Sequence, residues 1–259
     1  MQTATVTIQP IDEVAQMRAV EELQKEVWGI PDIEVVPLTQ LVAAKEAGGT
    51  LIGAFDAETL VGFVYGFPSF EYGQVAHHSH MLAVKTAYRN LDLGRRLKLA
   101  QREQVMAQGI AVMTWTFDPL QSLNAHFNFR KLGVVADRYL QDFYGAEAAS
   151  FLHQTGTDRL WVSWWLTSDY VKRTISSGQA PESFGHDDVS IEIPGDINSL
   201  QQQDPRTALK WREETREAFT EAIRRGYKVI GFTREKDKGR YLLRRGSQET
   251  LSTDYADSL

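Results

Sequence analysis

The chain has 259 residues, 42% of them hydrophobic, 10% aromatic and 24% charged, which excludes a peptide, a coiled coil and global disorder and predicts one large or two modest domains around a sizeable core. Against 28 Lys and Arg stand 34 Asp and Glu, a net charge of -6, so no general attraction to nucleic acid or an anionic membrane is expected. The absence of cysteine removes disulfides, thiolate zinc sites and cysteine nucleophiles.

In chain order, Val6, Ile8 and Ile11 around Pro10 predict a short strand, and Val14, Met17, Val20, Leu23 and Val27 recur at helical spacing up to Trp28 and Gly29. Met1 to Pro10 has neither the basic nor the apolar region of a leader, and no later run reaches about 18 apolar residues, so a soluble, cytoplasmic protein is expected. Val35 to Ala47 predicts a second helix, ended by Gly48 and Gly49. Thr50 to Phe55 and Leu60 to Phe67 predict a hairpin around a turn at Asp56 to Thr59.

A strand is expected from His77 to Val84, and a helix from Leu93 to Gln108 with a Gly109 stop. Ile110 to Phe117 reads as a buried strand, Asn124 to Leu132 as a short helix closed by Gly133, and Val134 to Tyr139 and Arg159 to Leu166 as strands. The fold class is therefore α/β (α+β), a mixed, mostly antiparallel sheet flanked by helices.

Residues 1–172 are read as one domain and 173–188, rich in Ser, Gly and Pro, as a linker or long loop. Val189 to Ile193, a charged helix from Asp204 to Arg225, and strands Tyr227 to Thr233 and Arg240 to Arg244 make a βαββ extension over 189–246. A polar tail, 247–259, is expected to fray. On the charged helix Trp211, Arg212, Glu213, Glu214, Arg216 and Glu217 read as a solvated face, with Leu209, Phe219 and Ile223 inward.

The most informative stretch is HHSHMLAVKTAYRNLDLGRRL, His77 to Leu97. A strand leads through a turn into a helix whose first donors are unpaired, an arrangement that binds anions, with Arg89, Arg95, Arg96 and Lys98 adding charge. The same residues also describe a plain helix start with a solvated basic face. His78 and His80, two apart on a strand, are expected on one face together with Leu82 and Val84, with His77 opposite. Two aligned imidazoles suit proton transfer near neutrality; they also suit a polar patch satisfied by carbonyls, and without a carboxylate at ligand spacing no metal site is expected.

His126, among Phe127 and Phe129, reads as a core or rim residue. Trp161, Trp164 and Trp165 read as a cation cage or as packing, and Arg138 and Arg159 as holders of a substrate carboxylate or as surface ion pairs.

Met81, Leu82, Ala83, Val84, then Tyr88 and Arg89 through Gly94, Arg95, Arg96 and Leu97 resemble the acyl-coenzyme A motif of the GNAT superfamily of N-acyltransferases, Arg/Gln-x-x-Gly-x-Gly/Ala. The resemblance covers Val6 to Leu166. A second motif is similar at Asn124 and at Phe129, Arg130, Lys131, Leu132 and Gly133.

It implies a sheet splayed between its fourth and fifth strands. The strand segment Leu82, Ala83 and Val84 would pair with the pantetheine arm, and the loop Arg89, Asn90, Leu91, Asp92, Leu93 and Gly94, with Arg95, Arg96 and Asn124, would bind the rest of acetyl-coenzyme A or another acyl-coenzyme A, succinyl-coenzyme A included. The sequence departs from the pattern twice. Asp92 stands at the first motif glycine, where it is expected to turn away and cap the helix; Phe129 stands at the usual tyrosine, so the acid for the leaving thiolate falls to Tyr139, Tyr144 or water. Arylalkylamine N-acetyltransferases carry a similar His-x-His before Leu-Ala-Val, which implies a general base at His78 or His80.

The implied reaction is direct transfer to the amine of a small molecule such as an amino acid, with an N–H near Leu82 as oxyanion donor and no metal. A degenerate coenzyme A-binding module and a protein amine acceptor are the other readings. The extension is expected to cover the acceptor side, complete the sheet or form a homodimer interface.

Overall fold

The computed structural model describes residues 5–145, 155–178 and 187–245. The chain divides into an N-terminal unit, Met1–Thr114, and a C-terminal unit, Trp115–Leu259.

The N-terminal unit begins with β1 (Val6–Pro10) and α1 (Val14–Trp28), and a short 3-10 turn precedes α2 (Leu38–Glu46). The expected helix from Val35 thus starts later, because the residue before a proline is pushed out of helical geometry and Pro37 caps the start. Next come β2 (Thr50–Asp56), β3 (Thr59–Glu71), β4 (Gln74–Val84), α3 (Leu93–Ala107) and β5 (Val112–Phe117), which carries the chain across the division. The strand order is β1-β2-β3-β4-β5. All neighbours pair antiparallel except β4 and β5, which run parallel.

β3 and β4 extend beyond the lengths expected from sequence and join at Tyr72 and Gly73, both at positive φ (52° and 77°), the two-residue turn that suits the twist of a hairpin. Pro68 is tolerated within β3 because the β2 ladder has already ended at Gly66.

α1 and α2 cover one face of this sheet with Met17, Val20, Leu23 and Leu41 against Phe63 and Tyr65. α3 covers the other with Leu93 and Leu97 against Val6, Ile52, Val61 and Val64. Each fully buried side chain of this size contributes about 1.5–3 kcal/mol.

In the C-terminal unit α4 (Ser122–Ala125) passes into a π-helical stretch, His126–Leu132, and is followed by β6 (Val135–Leu140) and β7 (Arg159–Trp165). A helix α5 (Asp169–Ser177), capped by Ser168 accepting the Val171 N–H, continues into the stretch read as linker, of which 179–186 lie outside the described residues. β8 (Val189–Pro194), α6 (Ile197–Gln203), α7 (Pro205–Arg224), β9 (Tyr227–Arg234) and β10 (Lys238–Arg245) complete the unit. The helix expected from Asp204 to Arg225 is α7, capped by Asp204 with Pro205 in its first turn, and the short α6 before it was not expected. The tail, 247–259, lies outside the described residues.

Here the order is β7-β6-β9-β10-β8. Ala136 of β6 pairs with Val229 of β9, so of the roles expected for the extension the strands perform the sheet-completing one. Phe129, Phe219, Phe232 and Tyr241 form its aromatic core, with centroids 4.7–5.8 Å apart in the Tyr241 contacts. Among the described residues no helix is long and apolar enough to cross a membrane.

Candidate functional site

β4 pairs with β3 along its length, but with β5 only at His77↔Met113 and His78↔Thr114. Beyond His78 its second edge, Ser79 to Val84, has no ladder partner among the described residues. A chain edge of unpaired N–H and C=O groups can accept an extended ligand as a further strand.

Against β3 the register is Gly66↔Ser79 and then Tyr65↔Met81, which leaves His80 as the extra residue of a β-bulge. The bulge reverses alternation. Leu82 and Val84 pack toward α3, whereas Met81 and Ala83 pack on the α1/α2 side. His78 and His80 meet Phe67 at ring-centroid distances of 5.5 and 5.6 Å, and Phe67 belongs to the α1/α2 side. The two histidines therefore share a face with each other, as expected, but not with Leu82 and Val84. One inserted residue flips everything after it, and no period-two reading of the sequence can register that.

The rings of His78 and His80 lie 6.2 Å apart. His78 Nδ1 is 3.2 Å from Thr114 Oγ1. Burial, then His80, then Lys98 pull the His78 imidazole down to about 4. His80 is exposed, yet the protein atoms crowding its ring still shift it downward. His77 points the other way, with Nε2 3.0 Å from Thr50 Oγ1, and burial, then Lys98 and His78, bring it to about 3. Near neutrality the imidazoles of buried His77 and half-buried His78 are uncharged.

After β4 a 3-10 turn, Thr86–Leu91, leads into α3. Tyr88 anchors it by donating to Asp56 Oδ2 at 2.7 Å. Arg89, Asn90 and Leu91 are exposed, and Arg89 Nε reaches back to the Val84 carbonyl at 3.5 Å. Arg96 N–H to Asp92 O closes the first turn of α3, so the N–H groups of Leu93, Gly94 and Arg95 precede any helical acceptor.

Asp92 sits at φ 54°, ψ 23°, and its side chain makes no capping hydrogen bond. The capping role expected of it is not performed; its carboxylate lies 3.7 Å from Arg95. A left-handed residue explains why glycine suits this position and why Asp, unlike most side chains, is tolerated there.

Two of the four basic residues are committed elsewhere. Arg96 Nη2 donates to the Val6 carbonyl at 2.7 Å, tying α3 to β1. Lys98 is 3% exposed, and its Nζ donates to Ser79 Oγ at 2.7 Å. Ser79 donates to Gln101 Oε1 at 2.7 Å, Gln101 Nε2 to Thr50 Oγ1 at 2.8 Å, and the Thr50 hydroxyl faces His77 Nε2. A buried polar chain thus runs between α3 and the sheet. Gly66 makes room for it: a Cβ there would stand 2.5 Å from His77 Nε2 and 2.9 Å from Gln101 Nε2. Spacing alone places Lys98 in a basic loop; its position one turn into α3, inward beside Leu97, shows only when the helix is docked.

The remaining expected residues belong to the C-terminal unit. Asn124 is exposed on α4. Arg138 and Trp161 are register partners, with the guanidinium 4.4 Å from the ring centre. Arg159 stacks on Tyr144 at 5.0 Å and donates to the Asp158 carbonyl at 2.9 Å. Trp164 is core, its indole N–H donating to Leu132 O at 2.7 Å.

Phe129 is fully buried, with no proton to give. Tyr139 donates to Asp158 at 2.6 Å, and burial, then Asp158, raise it far above an ordinary phenol, which removes it as the thiolate acid. Tyr144 is exposed. His126 is half-buried, and burial, then Lys131, Arg130 and Arg234, lower it.

Sequence reasoning missed the ion pairs of α7. Arg212, read as solvated, is 2% exposed and grips both Asp118 oxygens at 2.8 and 2.9 Å. Arg216 grips Asp158 at 2.7 and 2.8 Å. Their i, i+4 spacing beside Thr215 and Phe219 marks an inward stripe, a signal masked by the charges themselves. Among the described residues no three His, Asp or Glu side chains stand together to hold a metal.

Solved structures with this arrangement are known. A GNAT-family protein from Desulfovibrio desulfuricans is 15% identical, with a TM-score of 0.52 over 63% of this chain and 100% of its own. Aminoglycoside 6'-acetyltransferase type Ii is 18% identical, with 0.50 over 62% and 97%. The ribosomal-protein-S18-alanine N-acetyltransferase from Escherichia coli is 11% identical, with 0.50 over 70% and 98%. At such identities the likeness is one of fold: this chain has the GNAT acyl-coenzyme A N-acyltransferase fold. No protein-family model matches the sequence, and no curated protein matches it.

Proposed function

We propose that this protein transfers an acyl group from acyl-coenzyme A to the amine of a small acceptor such as an amino acid. The observation that carries the reading is the edge of β4. Its ladder to β5 stops at His78 and leaves Ser79 to Val84 without a second ladder partner among the described residues, running toward the loop and the first N–H groups of α3. An extended amide arm suits such an edge, and a diphosphate suits donors at a helix start. Leu82, Ala83 and Val84 would hold the arm; Arg89 to Gly94, with Arg95, would hold the diphosphate end. The Asp92 carboxylate opposes this fit locally, since it stays at the loop.

The bound thioester supplies the acyl carbon; the new N–C bond forms as the C–S bond breaks, and the thiolate leaves to become the thiol. His78 stands where the open edge begins. Its neutral imidazole takes the ammonium proton, directly or through water and His80. The Leu82 N–H serves the oxyanion. Without cysteine, a thiol acyl-enzyme is excluded and a ternary complex follows.

The testing experiment is isothermal titration with coenzyme A, acetyl-coenzyme A and succinyl-coenzyme A in parallel. Micromolar binding of one of them is expected, and the preferred thioester then serves an acceptor screen that begins with amino acids. Failure of all three to bind would make the chain a degenerate module, the reading that Asp92 favours.

A further inference from the structure

The His78 imidazole is held from two neighbouring strands, and one of the two holders has no part in the reaction outlined above. We infer that Thr114 is a positioning residue: from the last rung shared by β4 and β5 its hydroxyl fixes the orientation of the His78 ring, so that Nδ1 stays turned to β5 and the ring always offers the same edge to the acceptor. This inference rests on the assignment of His78 as the base.

Register brings the two residues together. His78 and Thr114 are partners in the parallel ladder, one rung beyond His77 and Met113, and side chains opposite one another in a sheet share a face. There His78 Nδ1 lies 3.2 Å from Thr114 Oγ1. No rung of this ladder follows, so the contact is made where the open edge of β4 begins. Thr114 is wholly buried. Its β-branched side chain has few rotamers to choose from, and a buried hydroxyl deprived of its partner is penalised, which keeps the contact closed.

A histidine needs such a hold. Rotation about the bond to its ring is broad and roughly two-fold, and the two orientations exchange a nitrogen for a carbon on each edge. Phe67 of β3 packs against the imidazole at 5.5 Å between ring centres and 35° between planes. It confines the plane of the ring but carries no polar atom, so it treats both orientations alike. The Thr114 hydroxyl tells them apart, because a ring carbon in place of Nδ1 would leave it without its hydrogen bond. A hydroxyl both donates and accepts, so it serves Nδ1 with or without a proton, and the ring keeps its place as it gains charge. A carbonyl or an amide N–H at that point would serve one of the two states only.

The test sets Thr114→Val, which keeps the shape and removes the hydroxyl, beside Thr114→Ser, which keeps the hydroxyl, and repeats Thr114→Val in a His78→Gln background. The first readout is the pair of imidazole 15N signals of His78, assigned by their loss in His78→Gln. The second is the kinetics of acetyl transfer from acetyl-coenzyme A to the acceptor that the screen selects. Thr114→Val is expected to shift the His78 signals and to lower kcat about 10-fold while the KM for acetyl-coenzyme A stays in place. Thr114→Ser should restore both, and in His78→Gln the loss of the hydroxyl should cost nothing further. Unshifted His78 signals in folded Thr114→Val overturn the inference, and so does a fall in kcat that persists undiminished in His78→Gln. Turnover of His78→Gln at the native rate would instead remove His78 as the base, and the part of Thr114 in the reaction with it, a result distinct from the others because the 15N signals report the hydrogen bond independently.

Discussion

Both units bury polar groups, and they satisfy them by opposite means. The N-terminal unit strings Lys98, Ser79, Gln101, Thr50 and His77 into a hydrogen-bonded chain, in which burial lowers both Lys98 and His77. The C-terminal unit pairs full charges: Arg212 with Asp118, and Arg216 with Asp158 and Asp142. Burial alone would push the Asp158 carboxyl up, but Arg216, the Asp142 N–H, Tyr139 and Arg212 together hold it below its ordinary value. The first unit buries its basic groups in a form that resists protonation; the second anchors α7 to the loop and strand ends beneath it.

The largest expected effect tests the paired charges. Arg212→Met leaves a half-buried Asp118 carboxylate and the Thr155 carbonyl without their partner, which should cost about 4 kcal/mol and lower Tm by about 10 °C. Calorimetry reads it; a loss within 1 °C would show that these pairs do not anchor the helix.

The next effect sets the two units against each other along the pH axis. His77 and His78 have folded values of about 3 and about 4, below their unfolded value, so below pH 6.5 the unfolded chain binds protons that the folded chain refuses. Stability is lost on acidification, by about 3 kcal/mol for each imidazole on reaching pH 4. Asp158, also depressed, contributes stability that is present above the ordinary carboxylate value and lost only as pH falls below it. Between pH 6.5 and 4.5 hydrogen exchange should therefore loosen β4 and α3 before α7 and β6. Equal loss in both units would break the contrast.

A smaller effect sharpens the role of the outward histidine. His78→Gln should lower kcat about 100-fold and flatten an acid limb that in the native chain lies near pH 4, where the half-buried imidazole titrates, rather than near 6.5. A pH–rate profile identical to the native one would remove His78 from the chemistry. The smallest effect concerns the loop. Asp92→Gly relieves a left-handed residue and removes a carboxylate from the anion site, and should tighten coenzyme A binding by about 1 kcal/mol. Loss of binding by titration would mean that the Asp92–Arg95 contact organises the loop.

The fold was largely legible because its signals are local. The 3.6-residue stripe of Met17, Val20 and Leu23, the β2–β3 hairpin pattern and the turn from Val84 to Gly94 each act over neighbouring residues. Motif spacing was enough to place the turn before α3 and to put His78 and His80 on one face of β4. What stayed hidden depends on contacts far apart in the chain. The bulge at His80 exists because β3 and β4 pair around Gly66, and it alone decides that the histidines face away from Leu82 and Val84.

Lys98 reads as solvent-facing until α3 docks and Ser79, distant in sequence, meets it; Arg212 and Arg216 read as surface charges until Asp118 and Asp158 come to them from other elements. By itself the sequence determined the periodicities, the turns and the chemical types present. Only tertiary structure decided which of the charged groups are buried, because a charge enters the interior only where a partner from elsewhere in the chain is already in place to receive it.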